Sequence, residues 1–107
     1  MSDEYVVVLS TLPLDSEPDR IARTLVDERL AACVNILPAM TSIYRWRDAT
    51  QTELEHQIVI KTTRARVPSL STRLRDLASY EVPEFIVLPI VDGNQAYLQW
   101  IGESTGP

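Results

Sequence analysis

The chain has 107 residues, 45% of them hydrophobic, which is enough for one domain with one core and too few for two. Its formal net charge is −5, from 10 basic and 15 acidic side chains, and this argues against nucleic acid as a partner, because phosphate contacts need a basic face. No apolar run approaches the roughly 18–20 residues of a membrane span; the acidic start Met1–Glu4 lacks signal-peptide order, and the single Cys33 excludes an internal disulfide, so the expected location is the cytoplasm. Tyr5 to Leu12 is β-rich and ends at Pro13, which reads as a first strand. Ser16-Glu17-Pro18-Asp19 is a helix start with Ser16 as cap and proline in the first turn, and Ile21, Ala22, Leu25, Val26 and Leu30 follow at helical spacing, so the helix is expected to reach Arg29 or Leu30.

Apolar and β-branched residues resume at Ala32. Val34 to Trp46 reads as a long strand interrupted near Pro38, which cannot donate to a ladder. A polar turn is expected over residues 47–52 and a third strand from Glu53 to Thr63. A second helix opens between Arg64 and Ser69 with Pro68 in its first turn, and Leu70, Leu74, Leu77 and Ala78 form its apolar face. Phe85 to Val91 is a fourth strand, Asp92-Gly93-Asn94 a turn, and residues 95–103 fit either a closing strand or a helix. The tail from Ser104 is expected to be frayed. The order is β-α-β-β-α-β in a single domain over residues 1–107: an α+β, ferredoxin-like sandwich with two helices on one face of an antiparallel sheet.

That architecture makes a demand on the strands. With both helices on one face, the other face should be polar if it meets water. Instead Val6 and Val8 oppose Val7 and Leu9, Phe85 and Val87 oppose Ile86 and Leu88, and Val34 and Ile36 oppose Cys33 and Leu37. Both faces are apolar. Monomers rarely expose a patch of several hundred Å², so self-association through the bare face is expected, with Val87 as an outward position.

Ordered blocks along nearly the whole chain carry a family resemblance: Val7-Val8-Leu9-Ser10-Thr11, Leu30-Ala31-Ala32-Cys33-Val34-Asn35-Ile36, Tyr44-Arg45-Trp46, Lys61-Thr62-Thr63, Tyr80-Glu81-Val82-Pro83-Glu84 and Tyr97-Leu98-Gln99-Trp100. In this set and order the chain resembles the CutA divalent-cation-tolerance family. The resemblance implies a homotrimer similar to the PII signalling proteins, with ligand sites in clefts between subunits, and copper or another divalent cation as a family attribute. Some members carry a cysteine where Ser10 stands and a histidine or histidine pair before the tyrosine of YEVPE; here those positions read Ser10 and Leu77-Ala78-Ser79. The soft copper ligands of those members are therefore substituted, and no metal ligand is assigned.

The candidate cleft residues are Cys33, Asn35, Trp46, Lys61, Tyr80, Glu81 and Glu84. Cys33 reads as a core thiol, since a nucleophile needs a neighbour that lowers its pKa. His56 alternates with Leu54 and Ile58 and reads as structural, because one histidine and one cysteine are too few for a zinc or copper site. Glu53 and Glu55 share a strand face and read as solvated. Glu81 and Glu84 flank Val82-Pro83 as a pair able to hold a cation or form local salt bridges. Trp46 is expected to pack against a neighbouring subunit, and Asn35, Lys61 and the YEVPE acids are, by the resemblance, near inter-subunit clefts. The reading is a non-enzymatic homotrimer that binds a metal ion or small ligand. Its alternatives are an enzyme using Lys61, Tyr80 and Glu84, and an assembly or anchoring module for another protein.

Overall fold

A computed structural model describes residues 4–106. Its elements are β1 (Tyr5–Pro13), α1 (Pro18–Asp27), β2 (Cys33–Ile36), β3 (Met40–Trp46), β4 (Ala49–Thr63), a 3₁₀ turn (Arg64–Arg66), α2 (Val67–Leu77), β5 (Ile86–Pro89) and α3 (Gln95–Ser104). All strand pairs are antiparallel. The path is β2-β4-β1-β5, with β3 also pairing β4. Thus β2 and β3 are two halves of one bent strand on the same edge of β4, and the break at residues 37–39 falls where Pro38 withholds its donor. The ferredoxin-like α+β order stands, with α3 added at its end.

One face of the sheet carries Val6, Val8, Ile58 and Ile60, all fully buried under Ile21, Leu25, Leu70 and Leu74 from α1 and α2. Each such side chain contributes about 1.5–3 kcal/mol by burial. Val87 belongs to this side too: it pairs with Val8 and packs against the core, so it is not the outward residue that the sequence suggested. The outward residues of β5 are Ile86 and Leu88, 46% and 44% exposed. Registered with Leu9 and Val7, and with Val59 beyond, they form an apolar patch on the open face. α3 covers only one end of that face, where Leu98 and Ile101 pack with Ala32, Tyr5 and Ile90.

Local chemistry explains the boundaries that differ from expectation. Ser16 does not cap α1; its hydroxyl donates to Pro13 O at 2.7 Å, and Glu17, at φ 58°, occupies the cap position. The helix stops at Asp27 in a Schellman motif: Leu30 N donates to Leu25 O and Arg29 N to Val26 O, both at 3.0 Å, with Arg29 at φ 61° in the left-handed position usually given to glycine. The polar turn is shorter than expected. Arg47 and Asp48, at φ 51° and 66°, make a two-residue hairpin turn, and β4 begins at Ala49. Positive φ at both central residues is the type I′ signature, whose twist suits a hairpin. β5 is only four residues long, and residues 95–104 form a helix whose cap is Asn94, the side chain accepting from Tyr97 N at 3.1 Å.

The expected loose tail is tied down as far as Gly106. Arg29 Nε donates to Gly106 O at 2.7 Å, its NH2 group donates to Glu103 O, and Gly106 N donates back to Arg29 O. Thr105 is buried and its hydroxyl donates to Ile101 O. Pro107 lies outside the described residues.

Candidate functional site

Strand alternation sorts the candidate residues. Asn35 pairs with Val59 and Cys33 with Lys61, so all four share the open face with Leu9 and Val7. Lys61 Nζ donates to Asn35 Oδ1, closing a short polar bridge between β2 and β4. Cys33, half-buried and unbonded to another cysteine, sits beside this bridge.

A second group forms where β5 ends. Beyond Leu9 the edge of β1 loses its partner strand, and the segment between α2 and β5 covers it instead. Ser10 Oγ donates to Glu84 O at 2.7 Å. Gln57 Nε2 lies 2.7 Å from Glu84 Oε2 and 2.6 Å from Ser10 O, so it holds the carboxylate and the strand together. Tyr80 OH donates to Glu55 Oε1 at 2.6 Å, the short distance of a charge-assisted bond. Burial first, and then this hydrogen bond, hold the Tyr80 phenol well above the ordinary tyrosine range, so it stays a donor. Glu53, lying against the Tyr44 hydroxyl, raises that phenol in the same direction.

Glu55 is the residue that the sequence reading missed. It is 8% exposed, the single buried ionisable side chain among the described residues, and not part of a solvated face. Glu53, two residues earlier, is exposed as expected. The signal available was alternation: Glu55, Gln57, Val59 and Lys61 must share one face. His56 points the other way, with Nδ1 2.7 Å from Leu37 O, and takes no part.

Trp46 lies apart from both groups, whereas Glu81 lines a cavity of about 420 Å³ together with Ser10, Arg75, Tyr80 and Glu84 of the second group. Glu81 Oε2 accepts from Arg47 at 2.8 Å, joining the loop to the hairpin tip through an exposed pair, and the Arg47 guanidinium lies 5.5 Å from the Trp46 ring centroid. Between the hairpin and the loop lies an open cavity of about 430 Å³ lined by Thr11, Tyr44, Glu53, Glu55, Tyr80 and Glu84 among others. Gln57 and Lys61 are four residues apart on β4, about 13 Å along a strand. Within one chain the seven predicted residues thus fall into three places, not one cleft.

A soft-metal site does not fit these donors. Ser10 is buried with its hydroxyl bonded to a carbonyl, and no group of three or more His, Cys, Asp or Glu side chains among the described residues is placed to hold a metal ion.

Comparison with known proteins gives a consistent result. The CutA1 divalent ion tolerance protein family matches residues 6–104. The divalent-cation tolerance protein CutA of Thermus thermophilus is 48% identical over 100 residues, covering 94% of this chain and 97% of that protein. Its solved structure superposes with a TM-score of 0.92 over 95% of this chain and 99% of that one. The crystal structure of CutA1 from Oryza sativa matches with a TM-score of 0.92 at 38% identity, covering 98% and 96%. Protein CutA of Homo sapiens is 43% identical over 95 residues, covering 89% of this chain and 53% of that longer protein.

Proposed function

The chain belongs to the CutA1 divalent ion tolerance family, and we propose from that premise that it acts as a cytoplasmic, non-enzymatic homotrimer whose inter-subunit clefts bind a divalent ion or small ligand. One observation carries the reading: Val7, Leu9, Val59, Ile86 and Leu88 make an apolar patch on the face opposite the helices, and the polar groups border it on that same face. A second copy covering the patch buries apolar area and turns its polar margins, Asn35–Lys61 on one side and Gln57–Glu84 on the other, into cleft walls. Copper as the bound ion is disfavoured by the donor set, which offers carboxylate, amide and phenol oxygens and a single thiol per chain, Cys33, where a soft ion needs several sulfur or imidazole ligands. Among the described residues no helix is long and apolar enough to cross a membrane.

Native mass spectrometry of protein purified without added metal, then titrated with Cu²⁺, Zn²⁺ and Mg²⁺, tests this. The expected species is three times 12.1 kDa, with stoichiometric uptake of ion or retained small-molecule mass. A monomer, or a trimer that takes up nothing, refutes the assembly or the binding respectively.

A further inference from the structure

We propose that the cavity between the β3–β4 hairpin and the loop preceding β5 is a site for an alkylammonium ion, a small organic amine in its protonated form. This deepens the cleft-binding reading and rests on it for the location, but commits to a ligand class that a metal site does not share.

The first observation is the charge of the walls. Glu53, Glu55 and Glu84 line the cavity and no lysine, arginine or histidine does. The cations around it lie outside this lining: Arg47 pairs with Glu81, Lys61 bonds Asn35, and Arg75 lines the neighbouring cavity on the far side of Tyr80 and Glu84. The second is Glu55 itself. A nine-tenths buried carboxylate is costly without a cation, yet its hydrogen bond among the described residues comes from the neutral Tyr80 phenol, to Oε1 alone. The third is the aromatic lining. Tyr44 and Tyr80 both contribute to the walls, and both hydroxyls are turned to carboxylates, which leaves the rings as surfaces for a cation. A hydroxyl that hydrogen-bonds to an anion also makes its ring more electron-rich. A cavity of about 430 Å³ suits a small organic ligand, and the net charge of −5 draws cations toward it.

A divalent metal fits less well. The carboxylates are distributed along the wall rather than converged, and each is tied at one oxygen or one hydroxyl neighbour. An ammonium group needs only three acceptors in a loose arc, and its alkyl part finds Val82, Ile43 and Met40.

The test is a titration of the assembled protein with putrescine, followed by amide chemical shifts and calorimetry, beside the neutral isostere 1,4-butanediol. Saturable putrescine binding with shifts confined to residues 40–57 and 79–85, and none with the diol, is expected. Glu55→Gln keeps an acceptor for Tyr80 while removing the charge and should weaken binding about tenfold or more. Tyr44→Leu should weaken it severalfold. Should Glu55→Gln fail to fold, the exposed Glu53→Gln takes its place. Binding that is unchanged in these variants overturns the proposal, as does absence of saturable putrescine binding. If Mg²⁺ saturates the same residues where putrescine does not, the ligand class is wrong and the cleft reading survives; if putrescine, Cu²⁺, Zn²⁺ and Mg²⁺ all fail to bind and the trimer retains no small-molecule mass, both fall.

Discussion

Two adjacent residues on β5 give the sharpest test of the face assignment. Leu88 looks out from the open face with 44% of its surface exposed, while Val87 packs against the helix-side core beside Val8. Full burial of a leucine side chain is worth about 1.5–3 kcal/mol, so covering the exposed part of Leu88 in an assembly adds about 1 kcal/mol per subunit. Across the three subunits of the proposed trimer, Leu88→Ala should therefore cost about 3 kcal/mol of association, roughly a hundredfold in the assembly constant, with the subunit fold barely altered. Leu88→Asp is more severe, since each buried unpaired carboxylate costs several kcal/mol. Val87→Asp puts the same charge into the core of the subunit itself, a cost comparable with a whole domain's stability of roughly 5–15 kcal/mol. Size-exclusion light scattering over a dilution series and far-UV circular dichroism separate the outcomes. Expected are a concentration-dependent trimer for Leu88→Ala, loss of the trimer for Leu88→Asp, and loss of secondary structure for Val87→Asp. A Leu88→Asp protein that remains trimeric, or a Val87→Asp protein that stays folded, would show that the two faces have been assigned the wrong way round.

The polar contacts give further expectations. Tyr80→Phe leaves Glu55 buried without its donor and should cost about 1.5–3 kcal/mol by urea denaturation near neutral pH. The Tyr80 phenol is raised in the folded state, so its contribution is complete below about pH 10 and is lost as pH rises above that; the gap between wild type and Tyr80→Phe should narrow by about 1 kcal/mol between about pH 9 and about pH 11. Arg29→Gly keeps the left-handed cap but removes two guanidinium bonds to the carbonyls of Glu103 and Gly106; amide exchange at residues 103–106 should accelerate at least tenfold, and unchanged protection would refute the clamp. Asp48→Gly relieves a positive φ at the hairpin tip without touching the Arg47–Glu81 pair and should raise stability by up to about 1 kcal/mol in thermal melts.

Periodicity and proline made most of the frame legible. Leu70 and Leu74 and the alternating valines of β1 are buried as spaced, and Pro38 breaks the edge strand where its missing donor requires. Contacts distant in sequence were not legible. Glu55 looks like any acid on a strand until the loop, 25 residues on, lays Tyr80 against it. Val87 and Leu88 cannot be assigned to faces by alternation alone, because both alternating sets are apolar; only the helices decide which set is core. Arg47-Asp48 carries neither glycine nor asparagine, so nothing local announces a two-residue turn. Ser16 illustrates competition, since its hydroxyl satisfies Pro13 O instead of an orphan amide of α1.

The spacing on β4 also constrains what a composite cleft can be. The Lys61–Asn35 bridge and the Gln57–Glu84 contact share one face of the sheet but are separated by about 13 Å. Between them stand Val59 and Leu9, side chains that present apolar surface on that face. A compact ligand cannot touch both polar groups of one chain while that apolar surface lies open, and no rotamer of Lys61 spans the gap. A cleft that contains both must take its lysine from one subunit and its carboxylates from another, across a covered patch. The same covering that removes apolar surface from water would then set the cationic margin of one copy against the acidic margin of the next, so assembly and site formation become one event. On this geometry, substitutions in the apolar patch and substitutions at Glu84 should converge on the same loss of binding, the first by removing the opposite wall and the second by removing the carboxylate itself.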